Sequence, residues 1–535
     1  MAKCRQLLIL SSLWPGIIVC CLFITVLVVT FSTLLFHVPK IIWKEFINDT
    51  YLWHVIIFTF FQAFLSTLLS VMPAIFIAKS LFRRHFPCRT LFLHLCSIIF
   101  ALPVLVAIFG LLTIYGRMGW IAQFFKWLEI DYQFTPYGLK GILLAHIFFN
   151  LPLAINMFLQ TLENIPIEQR QIAAQLGMTH WQYLRIVEWP HFKRQILPTF
   201  SLIFILCFSS FSTALTLGGG PAATTIELAI YQSLNYDFDL NKAAFLALIQ
   251  LFFCLSLILF SQKFNVFFFV GNTEKFYWIN TYDNKFRKLW DTFLISLTIF
   301  FLITPLLAII VDGINFTALH ALKQPGLWKA FANSIYIAIN AGILCIILSM
   351  MILWSTRELR LKHFIQTYQI MTISGLLILA IPSIVLATSF FLLFHNTFSL
   401  NDSPYSLIIF TNALMSIPYT LKVLENPMYD LAERYNILCT SLNIKNINRL
   451  LTIEFKALKN TIRQAFAFSC ILSIGDFGII AIFGNENFHT LPHYLYEQLA
   501  TYLNKDAAST ALVLLFLCLS ICILSKNWFN KRKYD

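Results

Sequence analysis

Long apolar stretches alternate with short polar intervals along the whole chain, and this pattern sets the predicted architecture. Twelve apolar segments have roughly the 20 residues that a helix needs to cross a ~30 Å hydrocarbon core. They cover residues 13–35, 53–78, 91–115, 139–162, 196–217, 243–261, 291–311, 330–354, 367–394, 406–424, 464–483 and 507–525. The pattern predicts an all-α polytopic membrane protein with about twelve transmembrane helices.

Composition and charge distribution agree with a membrane location. Of the 535 residues, 59% are hydrophobic and only 12% are charged, which is too apolar for a soluble domain. A net charge of +13 in a soluble chain would suggest a nucleic-acid partner. If the N-terminus is placed inside, however, the predicted cytoplasmic stretches hold roughly four times as many Lys and Arg residues as the outside loops. We therefore expect a multi-pass inner-membrane protein with both termini in the cytoplasm and no nucleic-acid partner.

One polar interval is not explained by membrane crossing. It runs from Gln171 to Pro190 and reads QIAAQLGMTHWQYLRIVEWP, between the fourth and fifth apolar segments. Gly177 is suited to end a helix in the left-handed conformation, and Pro190 is suited to begin the next one. The interval predicts a helix, a turn and a second helix on the cytoplasmic face, where they would meet a partner.

The second half of the chain repeats the first. A shift of 266 residues superposes Phe211 on Phe477, Gly218 on Gly484, Gly177 on Asn443 and Asn150-Leu151-Pro152 on Ser416-Ile417-Pro418. An even number of crossings in each half predicts parallel repeats about an axis along the membrane normal. The predicted divisions are a first helix and outside loop (1–52), a first transmembrane domain (53–261), a linker with the seventh helix (262–328), a second transmembrane domain (329–525) and a basic tail (526–535).

The polar interval resembles the EAA loop in membrane subunits of ATP-binding-cassette importers, which reads E-A-A, three residues, G, nine residues and I-x-L-P. The positions that fall on this pattern are Gln171, Ala173, Ala174, Gly177, Val187 and Pro190, with Gln171 and Ile172 departing from Glu and Ala. In the second half the corresponding positions include Cys439, Asn443 and Ile453, and both the glycine and the proline are replaced. The second copy is therefore a degenerate one.

Longer stretches resemble the fused thiamine importer permeases, in which one chain holds two such domains. They are AAQLGM, VEWP, LGGGPAATTIELAIYQSL and YDFDL in the first half, and LSIGDFG and TLPHYLY in the second. The resemblance implies the type I importer fold, with two copies of a cytoplasmic ATPase seated on the loops. It also implies that a periplasmic thiamine-binding protein delivers the substrates, which are thiamine and its phosphate esters. ATP and Mg would belong to the ATPase, since this chain has no Walker A sequence; we expect no enzyme activity, cofactor or metal on the chain itself.

Asp476 is the one acidic residue well inside a predicted helix. Because an acid at the bilayer centre costs ~2.5 to 3.5 kcal/mol, it is a candidate for the pathway of a cation. The other interpretation is that Asp476 caps a helix break between Gly475 and Gly478. Pro103 and Pro382 predict kinks in the third and ninth segments, either as hinges or as static bends.

Two other functions stay open at this point. A fused ferric-ion or other small-solute importer permease would have the same twelve-helix plan. An ion-coupled secondary transporter with two parallel halves would need several charged residues inside the membrane, and it would not explain a helix-turn-helix loop in each half.

Overall fold

A computed structural model describes residues 2–37, 49–130, 134–262, 284–314, 322–378, 381–394, 404–444, 446–484, 488–501 and 503–530, and the structural statements below refer to these ranges. Almost all of this backbone is helical. Most of the predicted linker (263–283) and the end of the predicted tail (531–535) lie outside the described residues. The predicted domain boundaries therefore stay predictions.

The first half of the chain forms twelve α-helices within the described ranges. They are α1 (Ala2–His37), α2 (Thr50–Arg83), α3 (Arg89–Ala101), α4 (Val104–Tyr115), α5 (Trp120–Trp127), α6 (Leu139–Glu163), α7 (Ile167–Gln175), α8 (His180–Tyr183), α9 (Trp189–Phe208), α10 (Phe211–Leu217), α11 (Ile226–Asn235) and α12 (Leu240–Gln262).

The second half of the chain forms eleven more α-helices in the described residues. They are α13 (Lys285–Gly313), α14 (Pro325–Leu361), α15 (Ile365–Leu377), α16 (Ser383–Phe394), α17 (Tyr405–Arg434), α18 (Asn436–Ser441), α19 (Asn446–Arg449), α20 (Phe455–Gly475), α21 (Gly478–Phe483), α22 (Leu491–Ala500) and α23 (Asn504–Asn530).

The predicted all-α polytopic architecture is confirmed. Among the described residues, nine helices are long and apolar enough to cross a membrane, or ten if the bent pair His180–Phe208 and Phe211–Leu217 forms one span. The predicted segments 91–115, 367–394 and 464–483 are each divided into two helices. Several predicted crossings are thus interrupted rather than continuous.

Four predicted segments are interrupted, and two of the interruptions lie at prolines. Pro103 follows α3 and Pro382 precedes α16, and a proline at either place cannot donate a backbone hydrogen bond to continue the helix. The break between α9 and α10 falls at Ser209 and Ser210, with a bend of 54°. The break between α20 and α21 follows Gly475.

The two halves interlock through their first helices. In α1, the Gly16 amide donates to the Ser355 hydroxyl of α14 at 2.9 Å, and a Cβ on Gly16 would lie only 2.6 Å from the Ser355 Cβ. In the other direction, a Cβ on Gly110 of α4 would lie 2.6 Å from the Pro305 carbonyl of α13. Both positions require glycine because a Cβ would clash with the Ser355 side chain at Gly16 and with the Pro305 backbone at Gly110.

Candidate coupling loops and central cavity

The helix-turn-helix of the first half, here the first loop (residues 167–190), is built around Gly177. Gly177 has a φ of +59°, and its amide donates to the Ala174 carbonyl at 3.1 Å. The next amide, on Met178, donates to the Ala173 carbonyl at 3.2 Å. These two bonds satisfy carbonyls at the end of α7, as in a glycine-terminated helix.

The second loop (residues 436–456) makes the same turn without the glycine. Asn443 has a φ of +53°, its amide donates to the Thr440 carbonyl at 3.3 Å, and the Ile444 amide donates to the Cys439 carbonyl at 2.9 Å. Asparagine is one of the few residues other than glycine that enters this region readily. The replacement at position 443 therefore preserves the backbone of the turn.

The predicted loop residues differ in their exposure. Ala173 and its counterpart Cys439 are each only 1% exposed and pack into their own chain, so of the two alanines only Ala174 faces outward. Val187 is also buried and Ile453 is half-buried. The exposed members of the predicted set are Gln171, Ala174, Gly177, Pro190 and Asn443.

Both loops present apolar side chains to their surroundings at positions related by the 266-residue shift. The exposed side chains are Ile172 (54%), Leu176 (68%) and Trp181 (68%) in the first loop, and Leu438 (48%), Leu442 (60%) and Ile447 (52%) in the second. Clustered exposed apolar residues are typical of a contact surface for a partner. We refer to these two groups as the loop patches.

A buried ion pair anchors each loop to a long helix. Glu188 lies 2.8 Å from the Lys79 ammonium of α2, and Glu454 pairs with the Arg357 guanidinium of α14. The two glutamates are related by the 266-residue shift, and each ends a π-helical turn, Leu184–Glu188 and Leu450–Glu454. Such turns are rare in proteins, and those that occur are often at functional sites.

Each half also supplies an arginine that interacts electrostatically with its glutamate, from a different position in each loop. In the second loop, Arg449 lies 3.1 Å from Glu454 and donates to Asn436 at 3.2 Å. In the first loop, the position equivalent to Asn436 is Arg170, which is buried, interacts electrostatically with Glu188 and lies over the Phe82 ring at 4.3 Å.

These ion pairs were missed by the sequence reasoning. The charge distribution alone assigns Lys79 to a basic cluster that fixes topology. The available signal was that Glu188 and Glu454 occupy the same position in the two copies of the loop.

At the breaks of the four interrupted segments lies a central cavity of about 250 Å³. Each break contributes to its wall, because a chain that leaves its helix presents both backbone and side chains there. The wall includes Phe100, Val104, Ser209, Ser210, Phe211, Ser383, Gly475, Asp476, Phe477 and Gly478.

Asp476 combines features of both interpretations drawn from the sequence. Its carboxylate lies beside the backbone amides of Gly478 and Ile479 at the start of α21. The Oδ2 atom has no hydrogen-bond partner among the described residues, and Asp476 lines the cavity. One side of the carboxylate thus supports a helix terminus, while the residue also lines the cavity.

A second buried acid, Glu227, lines the same cavity and was missed by the sequence reasoning. It lies in the first turn of α11, is 3% exposed, and its Oε1 is 3.5 Å from the Gln250 amide nitrogen. Glu227 and Asp476 interact electrostatically. The periodicity of residues 224–234 predicts a helix that could also lie along the outer surface, whereas α11 packs inside the bundle.

Two phenylalanines, one from each half of the chain, stack against each other in the wall of the cavity. Phe211 and Phe477 stack with ring centroids 5.9 Å apart and planes 13° apart, and they are related by the 266-residue shift. The pseudo-twofold axis therefore passes between the rings. Tyr231 of α11 and Tyr496 of α22 pack behind them at 5.3 and 5.1 Å.

Comparison with known proteins identifies this arrangement. Residues 66–265 match the family described as the binding-protein-dependent transport system inner membrane component. The chain is 53% identical to the thiamine transport system permease protein of Escherichia coli K12, over 97% of both chains. It is 42% identical to that of Haemophilus influenzae over 89% of this chain and 88% of the relative, and 37% identical to that of Brucella abortus 2308 over 91% and 89%.

The fold and these matches define the class of protein: a multi-pass inner-membrane transport subunit of a binding-protein-dependent system. Within that class, the chain belongs to the family of thiamine transport system permease proteins. The family resemblance found in the sequence is confirmed.

Proposed function

We propose that the chain is the membrane-spanning subunit of an ATP-driven importer that moves thiamine and its phosphate esters into the cytoplasm. The relatives are named for thiamine transport. The sequence lacks a GxxxxGK[ST] motif for binding ATP phosphates. Energy therefore comes from a separate ATPase, which holds ATP and Mg.

The observation that carries this proposal is the pair of matching loops with exposed apolar patches. Lys79 and Arg357 lie near the C-terminal ends of α2 and α14, and each pairs with the glutamate of one loop. In parallel repeats, this puts both loops at the same end of the bundle. Two copies of one ATPase subunit would dock there, each on one loop patch, and the charge distribution puts this end in the cytoplasm.

The central cavity suits an organic cation such as thiamine. The thiazolium ring of thiamine carries a permanent positive charge, which aromatic faces and carboxylates stabilise. Asp476 and Glu227 supply carboxyl groups, and Phe100, Phe211 and Phe477 supply aromatic surface. An acid in the membrane interior is costly, so its presence there indicates a function.

Transport would then alternate between two closures of this cavity. The Phe211–Phe477 stack closes it toward α11 and α22, where a periplasmic binding protein would deliver the substrate. Because one ring comes from each half, movement of the halves against each other would separate the rings. ATPase closure acting on both loops supplies that movement.

The two other functions are not favoured. An ion-coupled transporter could use Asp476 and Glu227, but it would not need two exposed apolar loops. Relatives named for thiamine transport also align over 89% or more of this chain.

Docking can be tested by co-purification of the ATPase. Leu176→Glu and Leu442→Glu each place a charge in one loop patch, and we expect both to reduce the amount of ATPase recovered. Leu503→Glu is the matched control, since Leu503 is 52% exposed next to α23 and lies away from the loops. Equal recovery of the ATPase from all three variants would contradict the docking assignment.

A further inference from the structure

Two histidines and a glutamate meet at the start of α22, outside the sites described above. The Nδ1 atoms of His489 and His493 are 3.3 Å apart, and each is 3.3 Å from the Oε1 atom of Glu497. The three atoms thus form an equilateral triangle. We propose that these side chains bind one divalent transition-metal ion, with zinc as the best fit.

The size of the triangle agrees with tetrahedral coordination. An ion whose tetrahedral ligands are 3.3 Å apart lies about 2.0 Å from each of them, which is the usual length of zinc bonds to histidine and carboxylate. Imidazole nitrogen and carboxylate oxygen are also the ligand types that zinc accepts. Geometry and chemistry therefore select the same class of ion.

The spacing in the sequence places the three ligands on one side of α22. The residues follow one another at intervals of four, and His493 and Glu497 lie within the helix. Residues four apart share a helix face. His489 lies just before the helix, so it reaches the same face from the preceding segment.

Hydrogen bonds to α14 hold this segment in place on both sides of the helix start. The Asn333 amide donates to the His489 carbonyl at 3.0 Å, and the Leu491 amide donates to the Ser334 hydroxyl at 2.8 Å. Asn333 is itself held by the Tyr405 hydroxyl at 2.8 Å. The ligands are thus positioned before any ion arrives, which lowers the cost of binding.

A hydrogen-bonded cluster without an ion accounts less well for the same geometry. Without an ion, either both Nδ1–H groups donate to one Glu497 oxygen, which places two N–H donors 3.3 Å apart, or one Nδ1 lone pair faces that oxygen. Both Nδ1 atoms approach the same carboxylate oxygen rather than one oxygen each. A metal ion in the centre accepts all three lone pairs at once.

The site is accessible and leaves a coordination position open. The side chains of His489, His493 and Glu497 are 23%, 16% and 42% exposed. Three protein ligands leave the fourth tetrahedral position for water. Exchange with ions in the surrounding solution is therefore possible without unfolding.

The position of the site links the ion to the outer closure of the cavity. The His493 ring is 6.2 Å from the Phe477 ring, one of the two rings that close the cavity. A Cβ on Gly484, just after α21, would lie 3.1 Å from the His493 Nε2 atom. A bound ion would fix His493 and thereby restrict movement of Phe477.

Metal content of the purified full-length chain tests this proposal without any transport measurement. The chain is purified through a tag that lacks histidine, stripped with a chelator, loaded with zinc and desalted, and zinc is measured by mass spectrometry. We expect one zinc ion per chain, with loss of that ion in His493→Gln and in Glu497→Gln. His54→Gln is the control, because His54 is an exposed histidine near the start of α2, and it should retain the ion.

Cobalt provides a second measurement that reports the geometry. Cobalt bound tetrahedrally to the wild-type chain should give intense visible absorption, and zinc should displace it. Size-exclusion chromatography identifies variants that fail to fold, and Glu497→Gln changes only an accessible carboxylate. The proposal is overturned if the loaded wild-type chain holds no more zinc than its detergent blank, or if folded Glu497→Gln holds as much as His54→Gln.

Discussion

The ion pair between Lys79 and Glu188 offers a quantitative test of how the first loop is attached. Replacing Lys79 by Met removes the ammonium and leaves the Glu188 carboxylate buried, since the two side chains are only 10% and 4% exposed. Removing one partner of a buried pair typically costs about 3–5 kcal/mol. Arg170 interacts with Glu188 and would offset part of this loss, so we expect about 3 kcal/mol, at the lower end of that range.

The double variant Lys79→Met with Glu188→Leu separates the ion pair from simple packing. Replacing both charges by apolar groups of similar size is often neutral, because no unpaired charge stays buried. We therefore expect the double variant to recover most of the stability lost by Lys79→Met alone. In the second half, Arg449 lies 3.1 Å from Glu454 and still pairs with it when Arg357 is replaced. Arg357→Met should therefore cost less stability in the wild-type background than in a chain that also lacks the Arg449 side chain.

The measurement is unfolding of the purified protein in mixed detergent, followed by tryptophan fluorescence. A double-mutant cycle then gives the coupling energy between Lys79 and Glu188. A loss below about 1 kcal/mol for Lys79→Met would equal that of an exposed pair and would refute the reasoning. So would a double variant less stable than Lys79→Met.

Three further predictions follow from the loops and the cavity. Gly177→Asn should leave ATPase co-purification unchanged, because asparagine already makes this turn at position 443. Gly177→Val should strain the turn by about 1–2 kcal/mol and reduce the amount of ATPase recovered. Equal recovery from the two variants would contradict this prediction. Asp476→Asn should slow thiamine uptake at normal expression, and a wild-type rate would exclude a role in guiding the cation. Phe477→Ala should open the cavity outward. A cysteine introduced by Ser210→Cys should then react faster with an impermeant thiol reagent. An unchanged rate would show that the ring stack does not close the cavity.

Features that depend on local sequence were predictable. Apolar segments of sufficient length predict helices, and Gly177 predicts the turn that the structure shows. Pro103 and Pro382 mark two of the interruptions. The 266-residue shift also aligned Phe211 with Phe477 from the sequence alone.

Features that depend on tertiary packing were not predictable from one sequence. Nothing near Lys79 indicates that it pairs with Glu188, more than a hundred positions away in the chain. The bend at Ser209 and Ser210 has neither proline nor glycine to mark it in the sequence. The periodicity of α11 shows an apolar face but does not show whether lipid or protein covers it, and Glu227 was missed for that reason.

Asn443 shows a different limit of pattern reading. Loss of the glycine and proline indicates a degenerate second loop, yet the backbone bonds of the two turns are the same. The glycine in the loop motif is the usual residue at a position where the backbone must be left-handed. The requirement itself is a left-handed residue at that position, which asparagine also meets.

Uptake of labelled thiamine into proteoliposomes tests the central proposal most directly. The chain is reconstituted with its ATPase, with ATP enclosed in the vesicles and the thiamine-binding protein outside. We expect uptake that requires ATP, the ATPase and the binding protein, and that falls in the Asp476→Asn and Glu227→Gln variants. Thiamine uptake driven by an ion gradient without ATP, or an ATP-driven system that leaves thiamine outside, would contradict the proposal.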